Sequence, residues 1–305
     1  MRLIHITDPH LTSLAQVPLA ALSGKRWSGY LSWRRRRRFV HRREVLDGLT
    51  VAVQDEDPAC ILVTGDLVHI GLAEEIEAAT DWLRQLGPPD RVMLVPGNHD
   101  VYARDSWPVV ASAWAPYLGV SAAEDKSAAN ASPVDEATAG FPTRRRLDGV
   151  PPVELIGVSS ACPAPLFMAS GRLGGAQLAR LDAALTQAQG FRCLLIHHPP
   201  LPAMTSWRKG LHDARALEAL LARRGVELVL HGHVHRNVSH LGVGGMRVFG
   251  TASASSVGGK AGAAYRCFEV TDVGDRWRVE MRLMDVLPDG AVSLRERATW
   301  ISAGR

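Results

Sequence analysis

Five short stretches of this 305-residue sequence carry carboxylate, amide and imidazole side chains: Asp8-Pro9-His10, Gly65-Asp66, Gly97-Asn98-His99-Asp100, His197-His198-Pro199-Pro200 and His231-Gly232-His233-Val234-His235. Imidazole nitrogens and carboxylate oxygens suit Zn, Mn, Fe or Co, and a carboxylate can bridge two ions where a neutral ligand cannot. Taken singly, each stretch is ordinary. Gly-Asn and Gly-Asp are turn chemistry, and a histidine at the end of a strand is more often a hydrogen-bonded surface residue than a ligand. Five of them at equivalent places in one chain point to a metal site assembled from loops.

The elements that must position these residues are legible as apolar runs. Residues 2–7, 59–64, 91–95, 153–159, 192–196 and 226–230 read as strands, and five of these six runs end where one of the stretches begins. Between them, residues 44–55, 74–86, 175–188 and 213–224 read as helices; Val45, Leu46, Leu49 and Val53, for example, fall close to helical spacing. Alternating strand and helix predicts an α/β protein whose sheet carries helices on its face, with ligands gathered at the carboxyl ends of the strands. Residues 247–251, 264–271 and 276–285 follow as strands without helices between them, which predicts an antiparallel or mixed second sheet. Residues 120–152, rich in Ala, Ser, Asp and Pro, read as an irregular surface loop with no assigned function.

No strong linker interrupts the chain, so residues 1–305 are expected to form one domain. Hydrophobic residues make up 46% of the sequence, but no window approaches the ~18 uninterrupted apolar residues of a membrane span. The chain enters its first strand at once, without the features of a secretory signal, so the cytoplasm is the expected location. Cys60, Cys162, Cys193 and Cys267 are widely spaced, with no Cys-x-x-Cys pair. They read as buried free thiols rather than as a disulfide framework or a cysteine metal site.

The net charge of +4 is unevenly distributed. Residues 11–43 hold nine basic and no acidic residues, leaving 26 basic against 31 acidic, or −5, for the remainder. This insert interleaves Trp27, Tyr30, Leu31 and Trp33 with Lys25, Arg26 and the run Arg34 to Arg38. Three readings compete: a solvated charge run, a nucleic-acid patch, and an interfacial segment in which Leu19, Leu22, Trp27, Tyr30, Leu31 and Trp33 face lipid while arginines meet anionic head groups. The density of Trp and Leu favours the interfacial reading, peripheral at the inner membrane face, and nucleic acid is not expected as a partner.

Asp8-x-His10, Gly65-Asp66, Gly97-Asn98-His99-Asp100, His197-x-Pro199 and Gly232-His233-x-His235 resemble, in order and residue type, the five motifs of the calcineurin-like metallophosphoesterases. The spacing and first motif look most like the bacterial branch that includes class III cyclic-nucleotide phosphodiesterases and glycerophosphodiesterases. The insert after His10 departs from the compact members of that branch.

The resemblance implies two packed mixed β-sheets flanked by helices, a four-layer αββα fold, and a hydrolase of phosphodiester or pyrophosphate bonds. It implies two divalent metal ions (Mn, Fe, Zn or Co), with Asp8, His10, Asp66 and His235 on one and Asp66, Asn98, His197 and His233 on the other. Asp66 is then the bridge, and ions about 3.5–4 Å apart would clamp the hydroxide that attacks phosphorus, with no protein nucleophile. His99 is expected to protonate the leaving oxygen or stabilise transition-state charge.

His5 reads as a core or supporting imidazole, His198 and His231 as orienting groups, and Asp100 as a group that fixes the His99 tautomer. His41, His69, His212 and His240 have no partner legible in the sequence. In plan the chain is similar to lipid A pathway hydrolases with an inserted lipid-holding cap, which adds an acylated UDP-sugar or a phospholipid to the expected substrates. The opposing expectation is a non-catalytic scaffold that keeps the fold; such a chain should have lost ligands. The sequence leaves the oligomeric state open.

Overall fold

Strands form where apolar residues alternate between two buried faces, and the computed structural model, which describes residues 1–120, 132–257 and 262–302, places that alternation between two packed sheets. The strands are β1 (Arg2–Ile6), β2 (Cys60–Val63), β3 (Val92–Leu94), β4 (Thr143–Leu147), β5 (Val153–Gly157), β6 (Phe191–Leu195), β7 (Leu228–His231), β8 (Val238–Leu241), β9 (Arg247–Gly250), β10 (Ala263–Asp272), β11 (Trp277–Val286) and β12 (Val292–Ile301). One sheet has the order β12-β11-β10-β1-β2-β3 and the other β4-β5-β6-β7-β9-β8. Both are mixed: β1, β2 and β3 run parallel, as do β5, β6, β7 and β9.

The period of two is visible in β6 and β7. Phe191, Cys193, Leu195, Leu228 and Leu230 pack between the sheets, whereas Leu194 and Val229 pack outward against Leu181, Leu185, Leu217 and Leu220. Those last four lie on helices Gly174–Gln187 and Ala214–Arg224. Helices Arg43–Asp55 and Ala73–Leu86 bury Leu46, Leu49, Trp82 and Leu83 in the core that contains β1 and β2. The result is the expected α/β arrangement of helix, sheet, sheet and helix layers. All four cysteines are buried and free.

Two expectations are corrected. Of the C-terminal strands only β9 joins the second sheet, parallel to β7; β10 pairs antiparallel with β1, and β11 and β12 extend the first sheet outward. Within the segment expected to be a loop, residues 121–131 lie outside the described residues, but Pro133–Thr138 is helical and Thr143–Leu147 is an edge strand antiparallel to β5. That strand reads Thr-Arg-Arg-Arg-Leu, and edge strands carry such charge because one side meets solvent, which hides the apolar period.

The insert is a docked element rather than a free excursion. Helix Lys25–Ser32 runs through the wider turn Trp33–Arg37 into Arg38–Val40. Leu14, Leu22 and Trp33 are buried with Ile70, Leu72 and Tyr102, each contributing roughly 1.5–3 kcal/mol. Arg26 is buried and donates to Asp105 and to the carbonyls of Ile70 and Gly71. Three of the six side chains expected to face lipid, Leu22, Trp33 and the partly buried Tyr30, are therefore used in packing, while Leu19, Trp27, Leu31 and also Phe39 stay exposed. Among the described residues, no helix is long and apolar enough to cross a membrane.

Candidate metal centre

The parallel strands β1, β2, β3, β6 and β7 each deliver their following loop to the same edge. The loops lie side by side: Asp8 N–H donates to the Gly65 carbonyl at 3.0 Å, His10 N–H to the Asp66 carbonyl at 3.1 Å, and Gly232 N–H to the His197 carbonyl at 3.0 Å. Such close packing needs residues without a Cβ. A Cβ on Gly97 would lie 2.2 Å from Asp66 Oδ1, and one on Gly232 would lie 1.9 Å from Thr7 Oγ1. Asp8, His10, Asp66, His233 and His235 all sit at positive φ, between 40° and 71°. Non-glycine residues adopt that region at a cost, which the surrounding hydrogen bonds must offset.

Two donor groups share one carboxylate. Ligand atoms of Asp8, His10, Asp66 and His235 lie within 4.8 Å of one another, as do those of Asp66, His197 and His233. Asp66 Oδ2 is 3.8 Å from His10 Nε2 and 3.3 Å from His197 Nε2, while Oδ1 accepts from the His99 amide at 2.7 Å. Asn98 Oδ1 lies 3.3 Å from His197 Nε2.

The rings are oriented from behind: His10 Nδ1 donates to the Val68 carbonyl at 2.9 Å and His197 Nδ1 to the Thr64 carbonyl at 2.6 Å, which leaves each Nε2 facing the centre. Among the described residues, Asp8 Oδ1 and His233 Nε2 are buried without a hydrogen-bond partner, although His235 Nε2 comes to 3.1 Å from Asp8 Oδ1. Buried polar atoms left unpaired are costly, so oxygen and nitrogen donors converging here fit a pair of divalent cations.

Electrostatics follow from this crowding. Burial holds His10 and His233 well below the usual imidazole range. Burial also works against the charge on His197, but the Asp66 carboxylate outweighs it and raises the ring to about 9. Asp66 is in turn disfavoured by burial, yet the imidazoles of His197, His99 and His10 hold it well below the usual carboxylate range.

His99 Nδ1 donates to the His69 carbonyl, so that carbonyl fixes its tautomer and leaves Nε2 out of the bond. This corrects the role expected of Asp100. Its buried carboxylate instead accepts four backbone N–H groups, from Asp66, Leu67 and Gly97 at 2.8 Å and Val68 at 3.3 Å, tying the loops after β2 and β3 together. Burial, then the Asp66 charge, push Asp100 up to about 7 against those donors.

His5 is buried between Thr64 and Thr251 hydroxyls. His198 bonds Ser160 and packs 4.5 Å from the His233 ring, and His231 Nδ1 bonds the Gly232 carbonyl. His212 bonds Ser170 and His240 is exposed on β8, both outside the site.

Three residues had no role at the metal centre in the sequence reading. His69 stacks on His10 at 5.1 Å. His41, at the end of the insert, lies 4.6 Å from the His10 ring, and its nitrogen falls within 4.8 Å of those of His10 and His235. Arg37 of the arginine run turns inward to 3.2 Å from His99 Nδ1, while Arg34, Arg35, Arg36 and Arg38 stay exposed. No local pattern marks these three, because the contacts join residues far apart in the chain.

Fold and site together define a protein that gathers two cation-binding donor groups on the loops of a two-sheet α/β scaffold. The calcineurin-like phosphoesterase family profile matches residues 1–237, and the chain belongs to that family. A probable cyclic nucleotide phosphodiesterase of Synechococcus is 29% identical over 187 residues, 60% of this chain and 60% of that protein's own length. The fold is similar to a dimetal phosphatase from Danio rerio, with a TM-score of 0.62 at 14% identity over 98% of each chain. It is also similar to GAP50, the anchor in the inner membrane complex of Plasmodium, with a TM-score of 0.51 at 11% identity over 93% of this chain and 84% of that one.

Proposed function

We propose that the protein hydrolyses a phosphodiester or pyrophosphate bond, with Asp8, His10, Asp66 and His235 holding one divalent cation and Asp66, Asn98, His197 and His233 the other. The observation that carries the reading is the position of Asp66, whose Oδ2 faces imidazoles of both donor groups. Bound there, two divalent cations supply a water acidic enough to act as hydroxide near neutral pH and positive charge against the phosphoryl oxygens. The chain's own residues do the rest. The Val68 and Thr64 carbonyls hold His10 and His197 in the liganding tautomer. His99 keeps one proton on Nδ1 against the His69 carbonyl, so it acts on the leaving oxygen or the developing charge only as the imidazolium, whose second proton, on Nε2, is the one given up.

A diester is favoured by the description of the Synechococcus relative as a cyclic nucleotide phosphodiesterase. A scaffold role is the opposing reading, since one fold relative is described as an anchor, but all seven candidate ligands and His99 are present here. The test is hydrolysis of bis(p-nitrophenyl) phosphate with Mn²⁺: Asn98→Ala and His197→Ala are expected to lose at least about 100-fold in kcat/KM. Turnover at the wild-type level in either variant overturns the assignment.

A second reading, a lipid-linked substrate taken at an anionic membrane surface, is favoured by one feature of the insert. Leu19, Trp27, Leu31 and Phe39 are 62%, 43%, 40% and 59% exposed, beside the exposed Arg34, Arg35, Arg36 and Arg38. Co-sedimentation with anionic vesicles should fall when those four arginines become serine, with Arg37 kept. Equal partition removes this reading.

A further inference from the structure

Among the described residues, buried guanidinium groups meet acceptors, with Arg266 Nε the atom left without one. Arg192 reaches the Glu227 carboxylate at 2.6 and 3.0 Å, and Arg26, in the same insert as Arg37, reaches Asp105 at 2.8 and 3.0 Å. Arg266, away from the site, lies against the Phe249 ring and the carbonyls of Val238 and Gly250.

Two cations beside the candidate metal centre differ. Arg37 is half-buried, and among the described residues no carboxylate lies within 4.0 Å of it. Among the described residues its guanidinium meets one polar side-chain atom, His99 Nδ1, which is already given to the His69 carbonyl. Lys25, also half-buried, places its ammonium 4.6 Å from the Tyr102 ring and makes no ion pair among the described residues. Tyr102 in turn stacks on His99 at 5.5 Å, so Arg37 lies at the His99 ring and Lys25 on the ring stacked against it.

The insert is built to hold this pair in place. Trp33 and Leu22 anchor it beside Tyr102, and Arg26 pins the helix that carries Lys25. His41 N–H donates to the Arg37 carbonyl at 2.9 Å, and the His41 ring lies against His10, so the turn bearing Arg37 ends on the first donor group. Keeping two positive charges partly out of water without counter-charge is unfavourable. Burial pushes Lys25 down to about 8 and lowers Arg37 as well. An arrangement of this kind is stabilised when an anion enters, and planar guanidinium with a neighbouring ammonium is the donor set that phosphate oxygens accept.

The phosphoryl group under attack has a dinuclear centre to meet its charge, so Arg37 and Lys25 are surplus to a substrate with one phosphate. We propose that Arg37 and Lys25 clamp a second phosphoryl group, adjacent to the one attacked, which makes the substrate a pyrophosphate diester. The inference rests on the reading that the Asp66 groups hold two cations and bind the reacting phosphoryl. It also gives the basic insert a specificity role, because a simple phosphodiester leaves the clamp empty.

The experiment compares binding of methylenediphosphonate with binding of methylphosphonate by titration calorimetry of the Mn²⁺-loaded full-length protein, so no turnover is needed. Wild type is expected to favour the diphosphonate, and Arg37→Gln to reduce that preference about 10- to 100-fold, the equivalent of a charge-assisted hydrogen bond. Lys25→Gln should reduce it in the same direction, which keeps the test available if Arg37→Gln fails to fold. An unchanged ratio in both variants overturns the clamp. So does an equal loss for both ligands, which places Arg37 at the attacked phosphoryl. Failure of the underlying reading looks different: methylphosphonate then binds no better with Mn²⁺ than without.

Discussion

Replacing Asp100 by asparagine changes one atom of the site region and should destabilise the fold more than loss of any exposed charge. In the native protein Oδ2 accepts from the amides of Asp66 and Gly97, and Oδ1 from those of Leu67 and Val68. An amide side chain of the same shape keeps one oxygen and turns the other into a donor, which faces two N–H groups that have no water to turn to. Each buried donor left unsatisfied costs about 1–3 kcal/mol, so Asp100→Asn should lose roughly 2–6 kcal/mol, with no cavity term because the volume is conserved.

Urea unfolding in mildly alkaline buffer, where the wild-type carboxylate is ionised, reads this as a lower midpoint at unchanged m-value. The same bond holds Asp66 at its φ of 57°, so metal content after gel filtration should fall with it. A loss below about 1 kcal/mol at constant m, with full metal content, would falsify the claim that Asp100 ties the two loops.

Two further outcomes follow from the same geometry. If His99 delivers a proton to the leaving oxygen, His99→Gln should slow poor alkoxide leaving groups by about 10²- to 10⁴-fold and p-nitrophenolate much less; equal losses would assign it charge stabilisation alone. Lys25 is an ammonium below about 8 and neutral above, because burial lowers it despite the Cys162 and Asp66 groups it faces, with Arg37 lowering it further. Its affinity for a pyrophosphate group is therefore full at pH 7 and lost as pH rises through about 8. The alkaline limb of kcat/KM on a pyrophosphate diester should move upward in Lys25→Arg, and coincident limbs would remove Lys25 from binding.

Much of the site was legible because its residue types are rare and its strands are apolar. Asp8, Asp66, Asn98, His197 and His233 each follow a run that can only be a buried strand, and parallel strands bring their ends to one edge. The arginine-rich edge strand β4 and the return of β10 to β1 were not legible, since neither leaves a local period. Strand choice in a sheet is decided by partners, here Arg2↔Glu269 through His5↔Arg266.

The sequence by itself determined the chemistry on offer: nitrogen and oxygen donors in order along an α/β chain, with one basic aromatic insert after His10. Only the tertiary structure decided how those donors are held. It put Asp66 Oδ2 between two groups of imidazoles, gave Asp100 to the backbone and not to His99, and turned Arg37 and His41 back onto the site while leaving the other arginines of the run in solvent. The physical reason is common to all three. Each depends on hydrogen bonds and packing between segments more than 25 residues apart, such as Arg37 with His99 and Arg26 with Asp105, and such contacts leave no trace in the spacing of neighbouring residues.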